Sequence, residues 1–362
     1  MAWTKVELPA GAEPVTLTAK GDDLLIGVRH RGAKVVPGLT IRSTDGKLTP
    51  IPVRPTSPYA FLAVWQSVAI NGTTVLALGG APGGAHSNVR YTVWTGTTSG
   101  LVEHPQEFNT FGGQAAGNVI GAVLAPGGGA LIGSWGSDIS GLDAAVWLPQ
   151  GEKWIRQKVA GTALQSKADL LVGPTSGTLS GESIVIAGSQ VKLGPNLVEQ
   201  HAALWRSTQL NQGWTRLELP DGGERSEVRT ISCTATVCLA SGYADGKLAI
   251  WRMEGSQASR YQGVPQIAVG DKDQVPSAVE SDGKLIQVAA EGGKFKVLTG
   301  PADQPTGAGD QPTGGDRWTV HEGSGPSGRA TQTLRIGNTL YLLAGPSGGP
   351  LTLWQTDLKA LR

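Results

Sequence analysis

Cysteine, histidine, methionine and phenylalanine are all scarce in this chain, with 2, 5, 2 and 4 copies among 362 residues. The five histidines, His30, His86, His104, His201 and His321, are dispersed, with no His-x-x-x-His or His-Cys spacing. A metal site needs several such ligands within one turn or hairpin, so neither a metal nor another cofactor is expected. Charge is equally sparse, at 16% of residues with a net of +1. The lysines and arginines are scattered, which removes the concentrated positive field that nucleic acid requires. No stretch approaches the roughly 18 to 20 continuous apolar residues that cross a bilayer as a helix, and the segment from Met1 to Pro14 lacks the basic and apolar regions of a signal peptide. Runs free of glycine and proline are also missing, since 53 Gly and 22 Pro punctuate the chain. Long helices need such runs, and the class that remains is all-β.

What the chain does have is repetition. Six short apolar runs share one shape: Tyr91–Trp94, Ala144–Trp147, Ala202–Trp205, Leu248–Trp251, Phe295–Leu298 and Leu351–Trp354, with a weaker copy at Gly38–Ile41. Their last residues stand at 41, 94, 147, 205, 251, 298 and 354, a loose period of about 52. Trp94-Thr95-Gly96 matches Leu298-Thr299-Gly300, so Leu298 holds a tryptophan position. Each period carries four strand signals bounded by turn residues. In the fourth these are Asp169–Val172, Ser183–Ala187, Ala202–Trp205 and Trp214–Leu219, here called strands A, B, C and D. Four short strands in about 50 residues is the signature of a propeller blade. The expectation is one seven-bladed β-propeller of four-stranded antiparallel blades spanning residues 1–362.

The termini supply a second line of argument. Trp3-Thr4-Lys5-Val6-Glu7-Leu8-Pro9 matches the outermost strand Trp214-Thr215-Arg216-Leu217-Glu218-Leu219-Pro220, while the chain ends after a strand C. Residues 3–9 are therefore expected to complete the last blade and close the ring, which removes two open edges. Asp303 to Asp316 is a tandem Asp-Gln-Pro-Thr-Gly duplication, and the 301–317 segment is expected to be a mobile loop insertion, because its composition cannot bury enough apolar surface to order it.

Recurrence assigns the strand C tryptophans to blade packing, and Trp3, Trp154, Trp214 and Trp318, at the start of strand D, to the same role. Trp135 occupies no repeated position and stands out as a ligand-facing residue. Cys233 and Cys238 flank Thr234–Val237 between strands A and B of the fifth repeat; a disulfide across that hairpin is favoured over two free thiols and points to an oxidising compartment.

Ser43-Thr44-Asp45-Gly46-Lys47-Leu48-Thr49 resembles the Asp-box hairpin of BNR-repeat and sialidase-like propellers, with an echo at Ser207–Trp214. The resemblance implies the fold; the box is a structural turn and implies no activity. The segment Ile231-Ser232-Cys233 to Cys238-Leu239-Ala240-Ser241-Gly242 looks like a cysteine-paired hairpin of secreted actinobacterial propellers, a likeness that implies export to the extracellular space or cell envelope, with the cytoplasm left open.

In a propeller the B–C and D–A loops gather on one face. That face is expected to carry His30, Arg31, His86, Arg90, Trp135, Asp138, His201, Tyr243 and Asp245, with Tyr59, Phe61, Phe108 and Phe111 from the D–A loops. Aromatic and polar groups together suit contact with a protein or a cell-surface glycan. The leading expectation is a monomeric, non-catalytic binding or scaffolding propeller. The alternatives are a glycoside hydrolase or lyase using two carboxylates of this face, with Asp138 and Asp245 the first choices, and a lectin with repeated sugar sites.

Overall fold

The computed structural model describes residues 2–32, 35–84, 87–303 and 318–361. His86 and most of the 301–317 insertion lie outside the described residues. The chain opens with β1 (Thr4–Lys5) and then builds seven sheets in turn. Blade 1 is β2 (Ala12–Lys20), β3 (Asp23–Arg31), β4 (Val35–Arg42) and β5 (Leu48–Ile51). A short β6 (Val53–Arg54) precedes blade 2, which is β7 (Val64–Asn71), β8 (Thr74–Gly83), β9 (Asn88–Thr97) and β10 (Gly100–His104). Blade 3 is β11 (Ala116–Ala125), β12 (Gly128–Gly136), β13 (Leu142–Gln150) and β14 (Lys153–Arg156); blade 4 is β15 (Leu170–Ser180), β16 (Ser183–Gly194), β17 (Leu197–Arg206) and β18 (Thr215–Glu218). Blade 5 is β19 (Ser226–Cys233), β20 (Val237–Ala244), β21 (Lys247–Glu254) and β22 (Gln257–Arg260); blade 6 is β23 (Val279–Ser281), β24 (Lys284–Glu291), β25 (Lys294–Pro301) and β26 (Thr319–Ser327). Blade 7 is β27 (Arg329–Ile336), β28 (Thr339–Gly345) and β29 (Thr352–Asp357), completed by β1.

The seven-bladed, four-stranded propeller is thus the observed fold, with one addition. β6 pairs parallel to β10 and gives blade 2 a fifth strand, because the chain leaving blade 1 crosses the outer edge of blade 2 and the Pro52 carbonyl accepts from the Leu101 amide at 2.9 Å. Ring closure follows the expected pairing: Thr4 lies opposite Gln355 and Lys5 opposite Trp354, and Val6 N–H donates to the Leu353 carbonyl at 2.8 Å.

The innermost strands bulge at one recurring place. Register slips by one residue between Pro14 and Thr16, Trp65 and Ser67, Val119 and Gly121, Pro174 and Ser176, Val228 and Thr230, and Ala330 and Gln332. Strand B answers most of these bulges with glycine, at Gly27, Gly79, Gly133, Gly188 and Gly242. At three of these a Cβ meets backbone: 2.2 Å from Asn118 O at Gly133, 2.0 Å from Gly173 O at Gly188 and 1.9 Å from Glu227 O at Gly242. Polar side chains of the inner strands, that of the bulged Thr175 among them, reach the next blade: Thr18 Oγ1 donates to Val68 O at 2.6 Å, Thr175 Oγ1 to Val228 O at 2.6 Å and Thr230 Oγ1 to Val275 O at 2.8 Å. Gln332 closes the circle on Leu17, accepting from its amide at 2.9 Å and donating to its carbonyl at 2.7 Å. Bulges next to a functional rim of a sheet characteristically redirect side chains in this way.

Between the blades lie the tryptophans. Trp94, Trp147, Trp205 and Trp251 are fully buried, as is Leu298 at the equivalent place, while Trp354 is only partly buried. Their apolar area makes the inter-blade layers, at roughly 25 cal/mol per Å² removed from water. On the opposite face from the B–C loops, Cys233 and Cys238 form a disulfide across the tip of the β19–β20 hairpin, with Cα atoms 4.0 Å apart. The two cysteines are directly opposed in the ladder of β19 and β20.

Candidate functional site

The B–C and D–A loops open on one face, as propeller topology requires, and the sequence-designated residues divide there into distinct groups. Arg31 is exposed and, together with Arg29, holds the buried Glu13: Arg29 Nη2 lies 2.6 Å from Glu13 Oε1 and Arg31 Nε 2.6 Å from Oε2. The Leu351 amide donates to the same carboxylate at 3.1 Å, so this cluster ties blade 1 to blade 7. His30, beside it, lies over Gly38, where a Cβ is 2.5 Å from the ring Nε2.

Trp135 is partly buried and packs edge-on against Trp147, with centroids 6.3 Å apart. Arg156, which the sequence did not single out, lies 4.8 Å over its ring. Burial pulls the Arg156 guanidinium down, and the charges of Asp138 and Asp143 oppose that shift. Trp135, Arg156 and Asp138 thus form one small group on blade 3.

On blades 4 and 5 a polar network takes up His201, Tyr243 and Asp245. His201 Nε2 stands 3.2 Å from Glu199 and its Nδ1 3.9 Å from Glu218. Tyr243 does not offer its ring to solvent: it is buried, its hydroxyl 3.3 Å from Glu227, because β20 points it into the blade 5–6 layer. Arg229 Nη1 lies 3.1 Å from Glu227 and Arg225 Nη1 3.0 Å from Asp271. Burial pushes the Glu227 carboxyl up, against the pull of Arg229 and the Tyr243 hydroxyl. Asp245 sits at a tight turn with φ of 49° and accepts from the Arg225 amide at 3.0 Å. Asp138 and Asp245 therefore belong to blades 3 and 5, with blade 4 between them and separate partners for each carboxylate.

The exposed apolar residues are distributed unevenly. Among the described residues thirteen large apolar side chains are exposed, and ten belong to this face: Val36, Tyr59, Phe61, Leu62, Val89, Phe108, Ile139, Leu142, Leu197 and Val198. All ten come from the sector of blades 1 to 4. The other three, Val102, Ile155 and Val320, lie on outer strands D. Leu197 and Val198 cap the hairpin of β16 and β17, and Val198 is 72% exposed.

Within this sector blade 2 carries a groove of about 310 Å³, lined by Ser57, Tyr59, Val89–Thr92, Glu103, Pro105–Phe108, Phe111 and Gly112. One wall is the D–A loop around the 3-10 turn Ala60–Leu62, the other the short helix α1 (Phe108–Phe111). Buried Glu103 anchors the first wall by accepting from Thr56 N and Ser57 N at 2.7 Å each and from both hydroxyls. Phe111 anchors the second on Tyr91 and Trp147, at 6.1 and 5.7 Å between centroids. Arg90 crosses the groove with its guanidinium 4.4 Å over the Phe108 ring. Among the described residues Arg90 has no acidic partner within salt-bridge distance. No group of three or more His, Cys, Asp or Glu side chains is placed to hold a metal ion among the described residues.

With this geometry established, comparison with known proteins is informative chiefly about architecture. No family model matches the chain, and no curated protein matches it. Among solved structures it is similar to the β-propeller domain of the trilobed protease from Pyrococcus furiosus, at 9% identity and a TM-score of 0.55 with 97% of each chain covered. It is also similar to the polysaccharide lyase Uly1, at 11% identity and a TM-score of 0.53 over 96% of this chain and 90% of that one. A third similar structure is YCF48 bound to a D1 peptide, at 12% identity and a TM-score of 0.50 over 98% and 94%. These likenesses establish the propeller alone. No helix among the described residues is long and apolar enough to cross a membrane.

Proposed function

We propose that this protein is an exported, non-catalytic binding propeller that recognises a protein partner through the blade 1 to 4 sector of the B–C and D–A face. The observation that carries the reading is the segregation of exposed apolar side chains, ten of thirteen among the described residues, onto that one sector. Exposed apolar side chains gathered on one sector of a rigid scaffold favour an interaction site, and aromatic and arginine residues such as Tyr59, Phe61, Phe108 and Arg90 are the types that anchor interfaces. β1 pairs with the outer edge of β29, so the closure of the ring leaves no open sheet edge there. The Cys233–Cys238 disulfide supports an oxidising compartment. A propeller of the same architecture, YCF48, has been solved with a bound peptide.

The test is capture from an envelope and culture extract of the source cells, comparing wild type with a Phe61→Ser/Leu197→Ser/Val198→Ser variant. These side chains are exposed, so the variant keeps its melting temperature within a few degrees. A protein retained by wild type and lost by the variant supports the reading; equal retention by both removes this sector as the site.

A further inference from the structure

The groove on blade 2 carries a more specific inference, which rests on the binding reading above. In blades 3, 4 and 5 the upper half of strand C is covered on its outer side after strand D ends. The residue three before the conserved tryptophan donates its amide there: Ala144 to Leu164 O at 3.0 Å, Ala202 to Ser226 Oγ at 2.9 Å and Leu248 to Ile267 O at 2.8 Å. The equivalent residue of blade 2 is Tyr91. Its D–A loop turns away at Pro105 into α1, and the groove lies where the covering segment runs in the other blades.

Register shows which backbone groups this leaves open. Thr98 N–H donates to Thr73 O at 2.9 Å, so the even-numbered residues of β9 bond to β8 and the odd-numbered ones face outward. The outward ladder to β10 stops at the pair Val93 and His104, while the inward ladder continues to Asn88. Among the described residues the N–H and C=O of Tyr91 and Val89 have no partner on the outer side. An unpaired strand edge is a template for another strand. At about 3.3 Å per residue, two outward residues match a partner segment of roughly four residues.

We infer that this groove takes an extended, acidic peptide segment as an added strand along Val89–Thr92, with the Arg90 guanidinium binding a peptide carboxylate between the Tyr59 and Phe108 walls. Main-chain hydrogen bonds supply the register. Arg90 supplies the selectivity, because its fork is free of acidic partners among the described residues and a carboxylate matches it bidentately. The carboxylate of Glu103 in the lining is already bound by two amides and two hydroxyls.

The experiment uses a displayed library of random hexapeptides panned on the full chain, followed by titration of the selected peptides. Asp or Glu is expected to recur in the selected set. Binding is expected to weaken at least tenfold with Arg90→Gln and with Val89→Pro, which removes an outward N–H that the ladder to β8 does not use, and to persist with Val89→Thr. In the free protein the Tyr91 amide is expected to exchange faster than those of Ala144 and Leu248, and to become protected when peptide is added. No enrichment, indifference to either variant, or slow exchange at Tyr91 in the free protein overturns the inference. So does an oligogalacturonate probe that binds through Arg90 but ignores Val89→Pro, since that identifies a carboxylated glycan. If Val89→Pro leaves partner capture intact while the Phe61/Leu197/Val198 variant abolishes it, the binding face stands and strand addition falls.

Discussion

Two glutamates at the same place in different blades show how much the neighbours of a residue matter. Glu13 and Glu227 each stand second in an inner strand, two residues before the bulge, yet their carboxyls shift in opposite directions. Burial pushes Glu13 up, but two arginines and the Leu351 amide outweigh it and leave the carboxyl below its ordinary range. Burial also raises Glu227, and there Arg229 and the Tyr243 hydroxyl do not compensate. The consequences for stability have opposite sign. A lowered carboxyl stabilises the fold above its unfolded value, near 4.5, and loses that contribution as pH falls through the folded value. A raised one contributes nothing below the unfolded value and destabilises as pH rises through the window between unfolded and folded values. Glu13→Gln is therefore expected to flatten the acid limb of stability below about pH 4.5. Glu227→Gln is expected to raise stability at pH 7 but not at pH 4. Denaturant midpoints across pH check both, and parallel shifts in the two variants would contradict the assignment. At the same scale, Gly242→Ala forces a Cβ to within 1.9 Å of Glu227 O. It is expected to cost roughly 1–3 kcal/mol or more. Gly121→Ala, where the nearest atom is Ser67 Oγ at 4.0 Å, serves as the near-neutral control.

Among the elements, β1 has the largest effect for its length. It contributes only Thr4 and Lys5 to the ladder, with Val6 buried against Leu343 and Leu353 just beyond. Removing residues 2–8 is expected to cost on the order of 3 kcal/mol from lost burial and hydrogen bonds. It also exposes the outer edge of β29, so concentration-dependent association should appear in size-exclusion chromatography. A truncated chain that stays monomeric with an unchanged midpoint would show that blade 7 is complete without it. The closure was legible because Trp3–Pro9 copies a strand D sequence, and the recurring apolar runs, five of them ending in tryptophan, marked strand C of every blade. The full length of β16 and β17 was not legible: the sequence marks strand B only over Ser183–Ala187 and strand C only over Ala202–Trp205, and the pairing of Val191 with Gln200 and Lys192 with Glu199 extends both well past those bounds. The parallel β6 was equally hidden, since two residues beside a proline carry no periodic signal.

For the molecule as a whole, periodic burial sets the architecture and irregular loops set the site. The chain determined its own blade count, its strand order, its closure and its disulfide, because each depends on spacing along the sequence: an apolar run, mostly ending in tryptophan, about every 52 residues, a displaced strand D copy at the start, and two cysteines across one hairpin. Tertiary structure decided which face residues meet. Arg156 reaches Trp135 from a different strand, Tyr243 turns inward because its strand register aims it at a blade interface, and Arg90, with no acidic partner among the described residues, lies over Phe108 of α1, which stands in place of the covering segment found in blades 3, 4 and 5. Such meetings join residues of different strands and blades, and no local pattern encodes the distance between them.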